Sequence, residues 1–572
     1  MRTSLFAFAL IPLLMAPPSV AARQLYTTAP ASVYRQGMVS AADPRAAEAG
    51  ARILRRGGSA ADAALATLLA LNVVEPQSSG IGGGGYALID DGKGHINTID
   101  GRETAPMAAT GDWFYVDGQP LAVARAIPGG RSVGIPGNIA LMAQLHARFG
   151  HLPWRALFAP AIGLARDGFM VSPRLHNSLG RFAETGALSP AARALYYQPD
   201  GTPLAAGAIV RDPALARFLG QLAARGPAAF YTGANARLIA AAVSTAPRNA
   251  APLTTADLAG YRARSRPPVC AFYRHYRVCG MGPSSSGATT VSGILGLLER
   301  FDLAKLGKDN PVSWHLIAEA MRLTYADRDR YLADSDFVSV PVAGLLGTPY
   351  LAARSQLIAA DRTMPTVAAG LPPGALLALA DTLTADVPST SHFVAVDRHG
   401  EVVSMTSTIE SPFGSGLMVN GYYLNNELTD FSLVPQQGGR IVANRVEPGK
   451  RPRSAMSPTL VYAPDGHLRL AIGAAGGATI PAQVVRAIIG VIDWHLSAQD
   501  AIGLPVIFAP GGNTVIVEQG TALAAMLPAL KALGHDDIQL REGMYKANAV
   551  EVVNGILAGA ADPRSEGRAV GQ

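Results

Sequence analysis

Three hydroxyl residues, Ser389, Thr390 and Ser391, stand where an irregular segment changes into a strand pattern. A threonine hydroxyl is a weak nucleophile and needs a base. One available base is the α-amine of the same residue, once that residue is the first of a chain. An α-amine has a pKa of about 7.7–8.0, so much of it is unprotonated near neutral pH. Thr390 is therefore a candidate nucleophile that would act after a cut between Ser389 and Thr390.

The strand pattern that begins at this threonine predicts a β-hairpin. The runs His392–Asp397 and Val402–Ile409 are rich in β-forming residues. Arg398–Glu401 between them indicates a tight connection. Such a hairpin would place Thr390 at its open end.

Two further features match what this nucleophile would need. Residues 363–389 are dominated by Pro, Gly and Ala without a clean period, which indicates a flexible segment leading to the cleavage point. Gly476 and Gly477 follow a second predicted hairpin, and their backbone N–H groups are candidate oxyanion donors. A Gly-Gly loop by itself would indicate only a turn.

Helix signals surround this chemistry. A helix is predicted over Pro44–Leu54 with Asp43 as its cap. Ser59–Val74 is almost continuously apolar, which predicts a second helix buried on most sides. Ser313–Asp334 is predicted to form a long amphipathic helix. The length of 572 residues allows several domains.

Two familiar motifs occur in contexts that do not support their usual function. Gly80–Gly85 fits G-x-G-x-x-G, but a helix precedes it and a strand follows, which is the reverse of a dinucleotide site. It therefore indicates a close crossing of backbones. Gly130–Gly134 fits G-x-S-x-G, yet it lies among prolines and glycines and not at a strand-to-helix turn, so we interpret it as structural.

Composition excludes some classes of partner. The 572-residue chain is 49% hydrophobic and 16% charged, which leaves room for a large buried core. The formal net charge is +6, spread along the chain without a Lys/Arg block. Binding of nucleic acid or of a membrane surface is therefore unsupported.

The N-terminus resembles a targeting segment. Arg2 is followed by the apolar run Leu5–Met15 and then by small residues. This order predicts a secretory signal over residues 1–22, and cleavage after Ala21 or after Ala22 fits equally well. The run is too short to span a bilayer. We therefore expect a soluble exported protein, periplasmic or secreted.

The two cysteines, Cys270 and Cys279, lie on either side of Arg274-His275 in what looks like another hairpin. In an oxidising compartment, this arrangement favours a disulfide between them. Two buried free thiols are the alternative. A metal site is the weakest option, because no further cysteine and no cluster of histidines accompanies the pair.

Taken with their neighbours, these features resemble the γ-glutamyltranspeptidase (glutathione hydrolase) family of N-terminal nucleophile hydrolases. The resemblance runs from about Gly37 to Arg564 and follows the family's order of motifs, which are SGIGGGG, GRETAP, TSH…VVSMTSTIE…FG, NNELTDFS, GKRPRSAMSPT and GAAGG. It implies an α/β (α+β) fold, a four-layer αββα sandwich. It also implies autocatalytic cleavage at Ser389-Thr390, giving a large subunit of residues 23–389 and a small catalytic subunit of residues 390–572 that form one interlocked unit.

The resemblance assigns the catalytic roles. Thr390 would be both the processing group and the nucleophile, and Thr408 matches the position whose hydroxyl contacts it. Gly476 and Gly477 match the oxyanion-hole glycines. No metal and no cofactor is implied.

Substrate-binding roles follow from the same match. Arg102 would bind the α-carboxylate of a γ-glutamyl group, since a guanidinium fork suits that geometry. Ser454 matches a hydroxyl donor to the same carboxylate. The residues Glu410, Glu427 and Asp430 match the groups around the α-ammonium. Each of these residues alone would be interpreted as an ordinary polar or charged residue at the protein surface.

Three departures from the family pattern leave the balance between transfer and hydrolysis open. Ala455 follows Ser454 where the family often has two serines, so one hydrogen bond worth roughly 1.5–3 kcal/mol is missing. Glu410 stands where well-known members have Asn. The segment between Asp430 and Ser454 is short and lacks a tyrosine, which favours the absence of the lid seen in some members.

The sequence thus predicts an exported γ-glutamyltransferase or glutathione hydrolase acting on small γ-glutamyl compounds such as glutathione. Thr390 would form a γ-glutamyl ester that water, an amino acid or a peptide then releases. A glutaryl or cephalosporin acylase of the same family is the first alternative, and the excess of acidic residues argues against it because its substrate lacks the ammonium. A non-catalytic exported binding protein is the second, and the joint presence of Thr390, Thr408 and the glycine pair argues against it.

Overall fold

The computed structural model describes residues 35–376, 379–381, 389–543 and 545–572. The predicted signal over residues 1–22 and most of the stretch just before Ser389 lie outside these described residues. Two β-sheets lie face to face between two layers of helices. The predicted four-layer αββα architecture is confirmed.

Two sheets carry the fold, and their strands are numbered in chain order as β1 (Met38–Ala41), β2 (Gly84–Asp91), β3 (Ile96–Gly101), β4 (Arg264–Arg266), β5 (Val269–Tyr273), β6 (Tyr276–Gly280), β7 (Ser391–Val396), β8 (Glu401–Thr408), β9 (Thr459–Tyr462), β10 (Leu468–Ala475), β11 (Lys546–Val553), β12 (Ile556–Ala561) and β13 (Arg568–Gly571). The first sheet has the order β13-β1-β7-β8-β2-β3-β4, and the second has the order β12-β11-β10-β9-β6-β5. Every neighbouring pair in both sheets is antiparallel.

The helices that cover the sheets are α1 (Pro44–Arg55), α2 (Ala60–Val74), α3 (Asn138–Phe149), α4 (Ala159–Asp167), α5 (Pro213–Arg225), α6 (Gly287–Leu298), α7 (Pro311–Tyr331), α8 (Ile480–Ile492) and α9 (Ala498–Gly503). Helices α1, α2 and α3 pack on the first sheet, with α4 and α5 outside them. Helices α6, α8 and α9 pack on the second sheet, with α7 outside them. Further helices of eight or more residues in the described chain are Pro173–Arg181, Gly233–Ser244 and Thr348–Ser355.

The predicted hairpin is confirmed and forms the centre of the first sheet. Strands β7 and β8 pair antiparallel from Ser391 opposite Ser407 to Val396 opposite Val402. The turn is held by Asp397, whose Oδ1 accepts the backbone N–H groups of His399 (2.8 Å) and Glu401 (3.1 Å). The local pattern sufficed here because both strands and the turn are contiguous in sequence.

Strand β7 is buried on both faces, as its continuous apolar run requires. Val394 and Val396 point into the layer between the sheets. Phe393 and Ala395 point toward the helices of the first layer. Side chains that alternate between two apolar layers hold the strand in a fixed register, because a slip of one residue would exchange the two faces. Thr390, at the start of this strand, is positioned accordingly.

Helices α1 and α2 begin where the sequence predicts. Asp43 caps α1 by accepting the backbone N–H of Arg45 at 2.8 Å, and Pro44 occupies the first helical position. Ser59 and Asp62 form a capping box at the start of α2. Every residue of α2 is buried, which confirms the prediction from its apolar composition.

Helix α7 is not amphipathic in the sense predicted. Most of its residues are buried, including most of the polar ones, because α6 and the short helices, strands and loops around α7 enclose it on nearly all sides. Its charges are paired inside the protein: Glu319 binds Arg322 at 2.6 Å, and Asp327 lies 3.4 Å from Arg354. Buried ion pairs of this kind cannot be distinguished from a solvated helix face by residue type alone.

The cysteine hairpin is formed by β5 and β6. Cys270 lies directly opposite Cys279 in the antiparallel register, and their sulfur atoms are bonded. The structure therefore carries the disulfide that the sequence favoured. Over the described ranges, the longest apolar helices fall short of what a membrane crossing requires.

Candidate active site

A small cavity opens where strands β7 and β8 meet the loop after β10. Its walls bring together residues that are far apart in sequence, which are Arg102, Thr390, Thr408, Glu410, Glu427, Asp430, Ser454, Ala455, Met456, Gly477 and Ile480. Every residue predicted to act in catalysis or substrate binding lines this cavity except Gly476, which directly precedes the lining residue Gly477.

The two threonines face each other across the hairpin. The Oγ1 atom of Thr390 donates to the Oγ1 of Thr408 at 3.0 Å, and both residues are buried. The backbone N–H of Glu410 also donates to the Thr408 hydroxyl, at 2.8 Å. Thr408 is thus fixed by its own strand and holds the Thr390 hydroxyl in one orientation.

The glycine-rich motif brings a second backbone against this hairpin. A Cβ atom on Gly83 would lie 1.9 Å from the carbonyl oxygen of Thr408, and one on Gly82 would lie 2.0 Å from that of Tyr423. Only glycine permits such an approach. The interpretation of Gly80–Gly85 as a close backbone crossing is confirmed, and the crossing supports the strand that carries Thr408. The other motif is structural as well, since its Ser132 is buried and donates to the carbonyl of Ile127 at 2.6 Å.

The backbone at the predicted cleavage point is strained. Thr390 has a φ of +105°, which is a genuine outlier for a β-branched residue. Ser389 is anchored on the other side of the junction, because its hydroxyl donates to the carbonyl of Gln77 at 2.8 Å. Strain of this kind persists only where the surroundings impose it, and it concentrates at functional sites.

The glycine loop follows β10 directly. Gly476 has a φ of +135° and Gly477 a φ of +57°, conformations that other residues rarely adopt. A short 3₁₀ turn, Gly477–Thr479, leads from there into α8. The backbone N–H groups at this end of the helix lie beside the cavity, in the positive end of the helix dipole.

Arg102 lies at the opposite wall and is fully buried. Its guanidinium forms ion pairs with Glu427 through Nη1 and with Asp430 through Nη2. Its Nε donates to the carbonyl of Pro452 at 3.2 Å, and Nη2 also donates to that of Arg453 at 3.1 Å. Burial alone would lower the pKa of Arg102, but the two carboxylates outweigh it and raise the pKa.

Glu103 is a site residue that sequence reasoning missed. It follows Arg102 in GRETAP, is fully buried, and lies beside Glu427. Burial raises the pKa of Glu103 to about 8, although Arg102 opposes the shift, and burial also raises that of Glu427. Within the described residues, no other residue donates a hydrogen bond to the carboxyl oxygens of Glu103 or to Oε2 of Glu427. Glu103 stays protonated up to about pH 8, the value to which burial raises its pKa.

Glu410 adds less charge than its residue type suggested. Its Oε2 accepts from the Nδ2 of Asn426 at 2.8 Å and from the Ser411 hydroxyl. Burial raises its pKa well above the usual range, and the neighbouring Asp430 and Glu427 raise it further. The raised pKa favours the neutral form of Glu410, so the negative charge around the cavity is smaller than three full carboxylates would give.

Ser454 is held by the loop that precedes α6. Its backbone N–H donates to the carbonyl of Ser284 at 3.2 Å, and its own carbonyl accepts from the N–H of Ser286 at 2.8 Å. The Ser454 hydroxyl oxygen accepts from the N–H of Met456 at 3.1 Å, which leaves the hydroxyl proton available to donate. Ala455 beside it presents only a methyl group to the cavity.

The short segment after Asp430 folds away from the lining. Its residues Gln436–Gln437 and Arg440–Val442 form a small sheet with Leu379–Ala380. None of these residues lines the cavity.

One cluster elsewhere has the residue types of a metal site, namely His315, Glu319 and His535. Its ligand atoms already have partners. The Nδ1 of His315 lies 2.8 Å from the Nε2 of His535, and its Nε2 lies 2.8 Å from the carbonyl of Ala359. Glu319 accepts from Arg322 and from the backbone N–H of Met364. The cluster is accounted for as a buried hydrogen-bonded group.

The proton on Glu103 predicts a pH effect on substrate binding. Below about pH 8 the carboxyl is neutral. Above it, the new negative charge competes for Arg102, so the KM of a γ-glutamyl anilide should rise by about 10-fold toward pH 9.5. In Glu103→Gln, whose amide can still donate to Glu427, this rise should disappear while the KM at pH 6.5 stays within about 3-fold of wild type.

The KM of wild type is compared with that of Glu103→Gln at each pH, because the ammonium of the substrate titrates in the same way in both assays. Equal KM profiles for wild type and Glu103→Gln would contradict the assignment of the proton.

Comparison with known families and proteins agrees with this geometry. The family model for gamma-glutamyltranspeptidase matches residues 46–572. The glutathione hydrolase proenzyme of Bacillus subtilis strain 168 is 35% identical over 551 residues, which cover 94% of this chain and 92% of that protein. The acylase ACY 1 proenzyme of Pseudomonas sp. strain V22 is 34% identical over 545 residues, covering 94% and 93%.

A solved structure matches almost the whole fold. The cephalosporin acylase from Bacillus halodurans superimposes with a TM-score of 0.83 at 28% sequence identity, covering 97% of this chain and 99% of that one. Proteins named for two different substrate classes are thus similar to this chain over nearly its full length.

Proposed function

Because the chain belongs to the gamma-glutamyltranspeptidase family, we propose that it is a γ-glutamyltransferase or glutathione hydrolase that uses Thr390 as an N-terminal nucleophile. The observation that carries the proposal is the 3.0 Å contact between the Thr390 and Thr408 hydroxyls inside a cavity that also holds Arg102, Asp430 and Gly477. A nucleophile, a carboxylate-binding fork and a glycine loop stand within one small space.

Maturation would use the same hydroxyl. The Thr390 Oγ attacks the carbonyl carbon of Ser389, and the amide C–N bond breaks as the acyl group moves to oxygen. Water then hydrolyses the ester, releasing the Ser389 carboxylate and the free amine of Thr390. The positive φ of Thr390 supports this step, because leaving the strained conformation lowers the barrier to rearrangement. The products are the proposed chains 23–389 and 390–572.

Catalysis would repeat this attack on a substrate. The freed α-amine takes the proton of the Thr390 hydroxyl, whose oxygen attacks the γ-carbonyl carbon. The backbone N–H groups of Gly476 and Gly477 receive the oxyanion. The proton then passes to the departing amine, the C–N bond breaks, and a γ-glutamyl ester remains on Thr390. Water, an amino acid or a peptide amine releases the γ-glutamyl group.

Selectivity for a γ-glutamyl group would come from an exchange of partners at Arg102. In the described structure, four of the five N–H groups of Arg102 are occupied, with Asp430 on Nη2. An incoming α-carboxylate displaces Asp430, which then pairs with the adjacent α-ammonium of the same substrate. A glutaryl group has no ammonium, so it would leave Asp430 beside a second carboxylate without a cation.

The exchange predicts opposite effects on two substrates. Asp430→Asn should lower kcat/KM for a γ-glutamyl anilide by about 10- to 100-fold, since the ammonium loses its charged partner. For a glutaryl anilide the same variant should be unchanged or faster. Release of the anilide chromophore measures both reactions.

A matched control is Asp381→Asn, which removes an exposed carboxylate paired with Arg330 away from the cavity. It should leave both rates unchanged. If Asp430→Asn reduced the two substrates equally, the exchange of partners would be wrong.

The acylase alternative is supported by one observation of the site. Ala455 and the raised pKa of Glu410, which favours its neutral form, make the cavity less polar than the family pattern. Wild-type turnover of glutaryl anilide at least equal to that of γ-glutamyl anilide would favour an acylase and overturn the preference for γ-glutamyl substrates.

We also propose that the protein is exported, periplasmic or secreted, on the basis of the signal pattern over residues 1–22. Its partners would be small γ-glutamyl compounds, and no cofactor is required by the chemistry described. The N-terminus of the exported protein, read by mass spectrometry, should begin just after Ala21 or Ala22.

A further inference from the structure

Lys546 is a buried charge that the mechanism above does not use. It is the first residue of β11 and pairs with Ala475, the residue directly before Gly476. Its backbone therefore belongs to the second sheet, next to the glycine loop. Its side chain is fully buried.

The ammonium of Lys546 crosses to the first sheet. Its Nζ donates to Oε2 of Glu75 at 2.8 Å, and it lies 3.3 Å from the hydroxyls of Ser78 and Ser391. The Ser391 hydroxyl donates to the same Glu75 oxygen at 2.7 Å. We call Lys546, Glu75 and Ser391 the brace.

The brace joins the two strands that carry the reacting groups. Ser391 is the first residue of β7 and directly follows Thr390. Lys546 lies opposite Ala475, the residue that leads into Gly476 and Gly477. The loop containing Glu75 also holds the junction, since the carbonyl of Gln77 accepts the Ser389 hydroxyl. One buried side chain thus connects the nucleophile's strand to the glycine loop.

A buried ion pair at this place is not explained by stability alone. Burial lowers the pKa of Lys546 to about 8, against the opposing effect of Glu75. Apolar residues of similar volume are often as stabilising as a buried ion pair. Moreover, Oε1 of Glu75 has no hydrogen-bond partner in the described part of the chain. The arrangement is therefore costly for folding, which points to a positional role.

We propose that Lys546 is a positioning residue that fixes the distance between the Thr390 hydroxyl and the loop of Gly476 and Gly477. The proposal rests on the proposed function, in which these two groups act on one carbonyl. A misplacement of about 1 Å in such a pair can reduce the rate about 100-fold. The brace sets this distance because it bridges the two sheets, next to Thr390 on one side and opposite Ala475, which leads into Gly476, on the other.

The test uses Lys546→Met, which keeps an unbranched apolar stem one heavy atom shorter and removes the charge. The kcat for a γ-glutamyl anilide, counted per cleaved chain, should fall by about 100-fold, while KM changes by less than about 3-fold. Precursor cleavage should slow as well. Arg469→Met is the matched control, because Arg469 pairs with Glu551 across the neighbouring strands β10 and β11 without reaching the junction. It should retain wild-type kcat.

The double variant Glu75→Gln/Lys546→Met distinguishes a loss of positioning from the effect of leaving the Glu75 charge unpaired. Removing both charges should raise the melting temperature above that of Lys546→Met, but kcat should stay low. Recovery of kcat together with stability would overturn the proposal, as would a wild-type kcat in Lys546→Met. Failure of the proposed function is distinguishable, since it would appear as an uncut or inactive wild type.

Discussion

Replacement of Thr390 by alanine is expected to leave the chain uncut and to reduce turnover of γ-glutamyl anilide by about 10⁴-fold or more. The Thr390 hydroxyl is the only group proposed both to attack the Ser389 carbonyl and to form the γ-glutamyl ester. It donates to Thr408 at 3.0 Å. Alanine removes this reacting oxygen together with the γ-methyl group. A denaturing gel should show two fragments for wild type and one band for the variant.

Two controls accompany this variant. Thr390→Ser retains a hydroxyl and should be cut, though more slowly, because it lacks the methyl group that restricts the side chain. Thr429→Ala removes a buried hydroxyl that bonds Asn426 just outside the cavity lining, and it should be cut like wild type. Cleavage of Thr390→Ala would identify another nucleophile. A wild-type chain that stays whole and inactive would favour the non-catalytic binding protein.

Arg102→Lys should raise the KM for γ-glutamyl anilide by about 10- to 100-fold with little change in kcat. The Arg102 guanidinium contacts Glu427, Asp430 and two backbone carbonyls at once. A lysine keeps the charge but has no planar fork, so it cannot hold a carboxylate in two places. Steady-state kinetics of the cleaved enzyme measure the effect.

The control for this variant is Arg451→Lys. Arg451 is also buried and lies 3.3 Å from Asp100, but it does not line the cavity. Its replacement should lower stability and leave KM within about 3-fold of wild type. If Arg102→Lys changed kcat alone, Arg102 would serve the chemical step and not carboxylate binding.

The parts of the fold that depend on neighbouring residues could be predicted from the sequence. The β7–β8 hairpin needs only a turn at Asp397–Gly400 and two flanking β-rich runs. The start of α2 needs only the capping box at Ser59, and the disulfide needs only a hairpin that places Cys270 opposite Cys279. Each of these signals is local, and each prediction is confirmed.

Site residues distant in sequence could be assembled only through the family resemblance. Arg102 and Asp430 lie 328 positions apart. No spacing rule places them together, yet they share one ion pair in the structure. The resemblance supplied the residues but not their contacts, so the occupation of Arg102 by Glu427 and Asp430 could not be foreseen.

Protonation states and buried charges were the least predictable features. Glu410 and Glu103 appear as charged residues in the sequence, and only the burial of their carboxyls shows that their pKa values are raised. The buried contacts of Lys546 could not be predicted from the sequence, because its partners Glu75 and Ser391 are 471 and 155 positions away. The prediction that α7 is amphipathic was wrong for the same reason, because its polar residues form hydrogen bonds and ion pairs inside the protein.

Trapping the acyl-enzyme tests most directly whether Thr390 is the N-terminal nucleophile. The cleaved protein is mixed with a γ-glutamyl anilide, quenched in acid and digested, and its peptides are analysed by mass spectrometry. We predict a γ-glutamyl group on the peptide whose first residue is Thr390, in an ester that hydroxylamine removes. A small chain that begins at another residue, or an acyl group attached elsewhere, would contradict the assignment of Thr390 as the N-terminal nucleophile.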